Sequence, residues 1–281
     1  EGPVMITNTH SVGIVRVTVV KWSFENQFFD PVFADIFWAL PVVAETYDGV
    51  LNDINGFHVQ ESHIFAALNN AATGPVAEGN VGGGTGMVCH QFKGGIGTSS
   101  RVVEGGDTTF RVGVLVQANY GGRDTLTIAG APVGQEIRDL LPEFRSPESF
   151  GSIIVVVATD APLLPHQLKR IARRVPIGIA RVGGISHNAS GDIFIAFSTA
   201  NSGAADRSKV RSVEMLPNDQ ISPLFQATAE ATEEAIINCL VAAETMTGIN
   251  GNKVHALPHE HLRQVLRKYN RLLEPAKTVV R

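Results

Sequence analysis

The apolar run Ile153-Ile-Val-Val-Val-Ala158 starts directly after a glycine and a serine, and this junction constrains the fold more than any other part of the chain. A strand without polar alternation needs cover on both faces, so the run demands a sheet held between two other layers. Just upstream, the polar and charged stretch Leu141-Pro-Glu-Phe-Arg-Ser-Pro-Glu-Ser-Phe150 has the composition of a linker. Gly151-Ser152 thus joins a linker to a buried strand, through one residue with no side chain and one with a hydroxyl.

Scission ahead of Ser152 would turn that serine into an N-terminus at the mouth of the core. An N-terminal-nucleophile hydrolase is built this way: the hydroxyl attacks its own preceding carbonyl and later attacks substrates. A loop glycine and a strand-capping serine would give the same local sequence without chemistry, so other residues have to decide. Ser190-Gly191-Asp192 stands where the loop Gly183–Ala189 enters a second apolar strand. Residues i and i+2 of a strand share a face, which sets a hydroxyl beside a carboxylate as an orienting relay for a nucleophile. The same three residues also suit a hydrogen-bonded turn. Glu45 and Tyr47 repeat the spacing at the end of Pro41–Tyr47. A carboxylate there can hold a substrate ammonium by charge-assisted hydrogen bonds, with the phenol as a donor to the reacting centre. Asn119 ends a further strand, and its carboxamide suits a developing oxyanion, a donor worth about 2.7–4 kcal/mol in a transition state. Asn before Gly-Gly is equally an ordinary turn residue.

Two halves meet at the polar linker near residues 136–151. In the first, Pro41–Tyr47 and Phe110–Ala118 are predicted strands, and Glu61–Asn70 is an amphipathic helix with Ile64, Phe65 and Leu68 on one side. Val12–Trp22 combines the β-branched residues of a strand with the length of a buried helix. In the second half, Ile193–Phe197 repeats the apolar pattern of Ile153–Ala158 and is expected to be covered on both faces. Pro165–Val175 is a predicted helix turning Leu168, Ile171, Ala172 and Val175 inward. Ser222 is the expected cap of a long helix with Pro223 at its first position and Gly248 as its stop. Leu257–Leu273 is the last predicted helix, and a basic tail follows. Helices together with doubly covered strands predict a layered α/β sandwich.

Length and charge narrow the function classes. The 281 residues are enough for one large domain with a substantial core. A net charge of −4 offers no basic field for nucleic acid or an anionic membrane, and no apolar stretch approaches the roughly 20 residues of a membrane span. Cys89 and Cys239 have no CxxC spacing and are too few for a disulfide framework. The glycines concentrate at Gly79–Gly97, which fits neither GxGxxG nor a GK[ST] loop. Close passage by the active site or tight turns are expected there instead of a nucleotide. His259-Glu-His261 lies on a helix, where such neighbours point apart, so no metal is expected, and no cofactor is called for. The chain opens on Glu1-Gly-Pro-Val-Met-Ile-Thr with its first methionine at Met5, as if cut from something longer. The cytoplasm is the favoured location, with the periplasm left open because the true N-terminus is expected to lie upstream.

Several segments taken together resemble the DmpA family of L-aminopeptidase/D-esterases and β-peptidyl aminopeptidases. They are Glu45-Thr-Tyr-Asp-Gly49 with Leu51-Asn-Asp-Ile-Asn-Gly56, Gly79-Asn-Val-Gly-Gly-Gly-Thr-Gly-Met87, Val116-Gln-Ala-Asn119, Gly151-Ser-Ile-Ile-Val-Val-Val-Ala-Thr-Asp160, Pro165-His-Gln-Leu-Lys-Arg170 and Ser190-Gly-Asp-Ile-Phe-Ile-Ala-Phe-Ser-Thr-Ala-Asn201. The resemblance runs from about Gly2 to the last helix. It implies a four-layer αββα sandwich, similar to the Ntn hydrolases but differently connected. It implies one catalytic domain cut between Gly151 and Ser152 into parts 1–151 and 152–281, and a homo-oligomer, a tetramer of processed protomers. In this chain it makes Ser152 the nucleophile, Ser190 and Asp192 its hydrogen-bonded partners, and Asn119 the oxyanion donor. Glu45 would anchor the free amine of a short peptide, amino-acid amide or ester, with Tyr47 and Trp38 lining the pocket. Some relatives have Glu in place of Asp192, and the shorter side chain bears on how closely it supports Ser190. Relatives also carry a segment ahead of the part matching Gly2–His10, so an N-terminal truncation is expected. The proton acceptor stays open between the freed α-amine of Ser152, with an ordinary pKa of about 7.7–8.0, and the Ser190–Asp192 relay. An acyltransferase of the ornithine acetyltransferase type is the enzymatic alternative, although its nucleophile is usually threonine. A non-catalytic protein that keeps the fold is the other.

Overall fold

The structure is a computed structural model in which residues 2–29, 31–105, 108–144, 151–205 and 209–273 are described. Part of the predicted linker, 145–150, and the basic tail from 274 onward lie outside the described residues. The first half runs from β1 (Val4–Asn8) through α1 (Val12–Glu25) to β2 (Val42–Thr46) and α2 (Glu61–Asn69). Two short strands, β3 (Val88–Cys89) and β4 (Phe92–Lys93), form a hairpin before the long strands β5 (Gly95–Gly105) and β6 (Thr108–Asn119) and the single turn α3 (Val133–Glu136). The second half runs β7 (Ser152–Thr159), α4 (Pro165–Ala172), α5 (Val175–Arg181), β8 (Ile193–Ser198) and α6 (Ser222–Ala242). The small hairpin β9 (Met246–Thr247) and β10 (Lys253–Val254) and the helix α7 (His259–Lys268) complete it.

The main sheet has the order β5-β6-β7-β8, antiparallel except for the parallel pair β7–β8. In β7, Ile153, Val155 and Val157 pair with Ala118, Val116 and Val114 of β6. Cross-strand partners share a face, and this one packs into the large core that includes Ala231, Ala235, Ile236 and Leu240 of α6. Ser152, Ile154 and Val156 therefore turn to the other side, where the parallel pair β1–β2 lies against β7. Outside that pair, α1 and α2 close a second small core of Val15, Val19 and Ile64. The layers are thus α1–α2, β1–β2, the main sheet and α4–α6, an αββα sandwich with β7 buried on both faces, as its apolar run predicts.

Val12–Trp22, open between strand and helix in the sequence, is helical as part of α1. Several other sequence expectations need correction. Ile193–Phe197 is a strand but is not doubly covered: Ile193 is 47% and Phe197 38% exposed. β8 is the edge strand of the main sheet, and the main contact of β2 is with β7. Pro165–Val175 is not one helix. α4 stops at Ala172 and α5 begins at Val175, because Pro176 has no N–H to give and its ring would strike the carbonyl of Ala172. Ser222 is the first helical residue of α6, Ile221 holds the cap position, and no side chain caps the end. That helix leaves at Ala242, not Gly248, since Asn80 takes both the N–H and the carbonyl of Glu244, at 3.1 and 2.9 Å. The last helix is shorter than Leu257–Leu273: Pro258 precedes it, and Asn270 (φ 54°) stops it in the left-handed conformation.

Candidate active site

Gln117 and Asn119 project from β6 toward the β1–β2 layer, and both are buried. Gln117 Nε2 donates to Thr46 Oγ1 at 2.6 Å and to the Thr7 carbonyl at 3.2 Å, which ties the two sheets together. Asn119 Nδ2 donates to the Tyr47 carbonyl at 2.9 Å, and its Oδ1 accepts the Val88 N–H at 2.8 Å. Both ends of the carboxamide are held, so its orientation is fixed. A primary amide nitrogen carries two N–H bonds, and the Tyr47 carbonyl uses one of them.

Ser152 is the direct partner of Asn119 on the last rung of the β6–β7 ladder. Gly151, just before it, has no room for a side chain: a Cβ there would lie 2.7 Å from the Asn119 carbonyl oxygen and 2.8 Å from Tyr120 Cα. The parallel pairing of β7 with β8 brings the loop ahead of Ile193 alongside Ser152. The Gly191 N–H donates to Ser152 Oγ at 3.2 Å, and a Cβ on Gly191 would stand 3.3 Å from that oxygen. Asp192 accepts the Ser190 hydroxyl on Oδ1 at 2.5 Å and the Ser186 hydroxyl on Oδ2 at 2.8 Å. The expected hydroxyl–carboxylate pair therefore exists, with its proton pointed at Asp192 and the lone pairs of Ser190 left to accept. The expected hydrogen bond from this pair to Ser152 is not formed among the described residues: the Gly191 N–H between them takes Ser152 Oγ. Sequence reasoning missed two members of this group. Ser186 lies in a loop with no periodicity, and a backbone N–H such as that of Gly191 leaves no signal in residue type.

Glu45 and Tyr47 lie on the other sheet. Ala44 and Thr46 are the buried residues of β2 that face the main sheet. Strand alternation puts Glu45 on the opposite side, where its Oε2 accepts the Thr9 hydroxyl at 2.5 Å. Tyr47 is 42% exposed and joins the site through its carbonyl on Asn119. The turn that carries it is braced by the buried Asp48 carboxylate, which accepts Asn8 Nδ2 at 3.1 Å and Asn52 Nδ2 at 2.8 Å. Trp38 is 67% exposed, and among the described residues no hydrogen bond links it to the others. The structure thus gathers Ser152, Asn119, Ser190 and Asp192 at one end of the seam between the sheets, with Tyr47 at its edge, Glu45 on the far side of β2 and Trp38 outside.

Behind this group lie unusually placed ionisable side chains. His90 is fully buried, with Nδ1 2.9 Å from the Gly122 carbonyl and its ring 5.0 Å from that of Tyr120 in an edge-on contact. Burial lowers its pKa to about 4, and burial also raises the Tyr120 phenol well above its usual value. The glycine-rich segment lies over the start of β5, where Gly79 and Ile96 exchange backbone hydrogen bonds of 2.8 and 3.0 Å. Among the described residues no three His, Cys, Asp or Glu side chains cluster as metal ligands, and no helix is long and apolar enough to cross a membrane.

Comparison with known proteins agrees with this architecture. The chain is 54% identical to the β-peptidyl aminopeptidase BapA of Sphingosinicella microcystinivorans, over 97% of its own length and 70% of the relative's. The solved L-aminopeptidase D-Ala-esterase/amidase of Ochrobactrum anthropi, a variant of the Ntn hydrolase fold, superposes with a TM-score of 0.88 at 51% identity. That match covers 95% of this chain and 74% of the other. A Burkholderia sp. β-aminopeptidase matches with a TM-score of 0.82 at 50% identity, covering 94% and 72%. The resemblance to the DmpA group seen in the sequence is thereby confirmed. With the family model matched over residues 1–254, the chain belongs to peptidase family S58.

Proposed function

We propose that this chain, a serine-type aminopeptidase and amidase of family S58, uses Ser152 as its nucleophile once the Gly151–Ser152 bond has been cut. Ser152 Oγ adds to the substrate carbonyl. The remaining N–H of Asn119 Nδ2 donates to the oxyanion, and the Gly191 N–H, already on Ser152 Oγ, orients the attacking oxygen. The serine proton passes to the freed α-amine or, through Ser190, toward Asp192, and from there to the departing amine. Water then cleaves the acyl-enzyme by the same route in reverse. The observation that carries this reading is the convergence of the Gly191 N–H on Ser152 Oγ with Asn119 fixed directly across the ladder.

The finer assignments rest on chemistry. Glu45 is the proposed anchor for the free amine of short peptides, amino-acid amides or esters, reached around the end of β2 where Tyr47 stands, because its side chain lies across that strand from Ser152. Tyr47 and the exposed Trp38 are proposed to shape the outer pocket. The exposed apolar side chains of β8, Ile193 and Phe197, suit a contact in a homo-oligomer. The proposed tetramer of processed protomers rests on the family resemblance alone. Intact-mass spectrometry tests the central claim. The wild-type protein is expected as fragments 1–151 and 152–281, with an acylating probe on Ser152. Ser152→Ala is expected as one uncut, unlabelled chain. A cleaved or acylated Ser152→Ala protein would refute the assignment.

A further inference from the structure

We propose that Lys93 is a positioning residue for the oxyanion donor, acting on Asn119 through the peptide bond between Met87 and Val88. The inference rests on the reading of Asn119 given above. Lys93 is fully buried on β4, and its ammonium has no carboxylate partner among the described residues. Its three protons go to carbonyls instead: Gly84 at 3.1 Å, Met87 at 2.9 Å and Gly94 at 2.8 Å. Its ionisable neighbours are the buried thiols Cys89 and Cys239, and burial lowers the ammonium pKa to about 8, so the group is a cation at neutral pH.

Such a charge is costly to bury, and its placement has a directional consequence. The Met87 carbonyl takes both the Lys93 ammonium and the Gly94 N–H, the latter at 2.9 Å. The N–H of that same peptide unit belongs to Val88, and it donates to Asn119 Oδ1 at 2.8 Å. A cation on an amide oxygen deepens amide resonance and makes the N–H at the other end a stronger donor. The effect is handed to the Asn119 carboxamide, whose own Nδ2 protons become stronger donors in turn. Lys93 therefore strengthens the Val88 N–H that holds the carboxamide in place and raises its capacity to stabilise negative charge, without touching substrate.

The test is a double-mutant cycle on the processed enzyme, with Lys93→Met, Asn119→Ala and the pair, assayed with an amino-acid amide. Lys93→Met is expected to be cleaved at Gly151 and to lose roughly tenfold to a hundredfold in kcat, the range of a charge-assisted hydrogen bond, with KM within about twofold. In the Asn119→Ala background the same substitution should cost nothing further. An unchanged kcat, or an equal loss in both backgrounds, overturns the proposal, because Lys93 would then act on the scaffold and not through Asn119. An Asn119→Ala enzyme with wild-type kcat would instead sink the reading of Asn119 itself. Should Lys93→Met fail to fold, Lys93→Gln keeps donors without the charge. It is expected to lower kcat in the Asn119 background alone, and wild-type kcat in that variant overturns the proposal.

Discussion

His90 and Gln91 turn the β3–β4 hairpin with positive φ angles of 48° and 58°, a conformation that two-residue hairpin loops require and that Asn-Gly usually supplies. Here side-chain contacts offset the strain. His90 bonds Gly122, and Gln91 Oε1 accepts the Arg123 N–H at 3.2 Å. Holding His90 neutral in a dry site makes stability depend on pH. Its folded-state pKa of about 4 lies below the ordinary 6.5, so between those values the unfolded chain binds more protons. The contribution is complete above about pH 6.5 and is lost as pH falls toward 4, amounting to roughly 3 kcal/mol at full extent. Urea unfolding across this window should show a shallower decline for His90→Gln than for the wild type. Equal slopes would mean that the imidazole is hydrated or protonated in the fold.

Elements meet in this molecule by close backbone approach. α6 crosses β5 where Gly97 leaves a gap, and a Cβ there would fall 1.9 Å from the Ala235 carbonyl oxygen and 2.7 Å from the Cys239 nitrogen. Neither obstacle can rotate away, so Gly97→Ala has to push the helix off the sheet. The expected loss is about 3 kcal/mol or more, read as a lower denaturant midpoint. A loss below about 1 kcal/mol would show that α6 slides easily on β5. The glycines between 79 and 97 are thus legible in composition as a region of unusual backbone, but the helix that needs the gap at Gly97 lies more than a hundred residues away in the chain.

At the scale of the molecule, the proposed cut falls between two strands that stay paired. β6 belongs to the part before Ser152 and β7 to the part after it, and their ladder runs from Val112↔Thr159 to Asn119↔Ser152. The α6 helix of the second part also covers β5 and β6 of the first. The two fragments should therefore migrate together on native size exclusion and separate only in denaturant. Fragments that part under native conditions would contradict the shared sheet as the source of cohesion.

The sequence by itself marked both Ile153–Ala158 and Ile193–Phe197 as strands, because their apolar, β-branched runs have no helical period. That the first is buried and the second an edge was decided by the tertiary structure. The sequence also offered the candidates Ser152 and Asn119 at strand ends, and Ser190 and Asp192 by an i, i+2 spacing that the structure places in the loop ahead of β8 and not on the strand. The break between α4 and α5 is local to Pro176. Only the tertiary structure decided where α6 stops, because Asn80 binds Glu244 from a distant segment. It alone showed that β8 is an edge with one open face, that a backbone N–H reaches Ser152 Oγ, and that Glu45 lies beyond β2. It alone joined Lys93 to Asn119, since hydrogen bonds between segments distant in the chain depend on how strands are brought together and not on residue order.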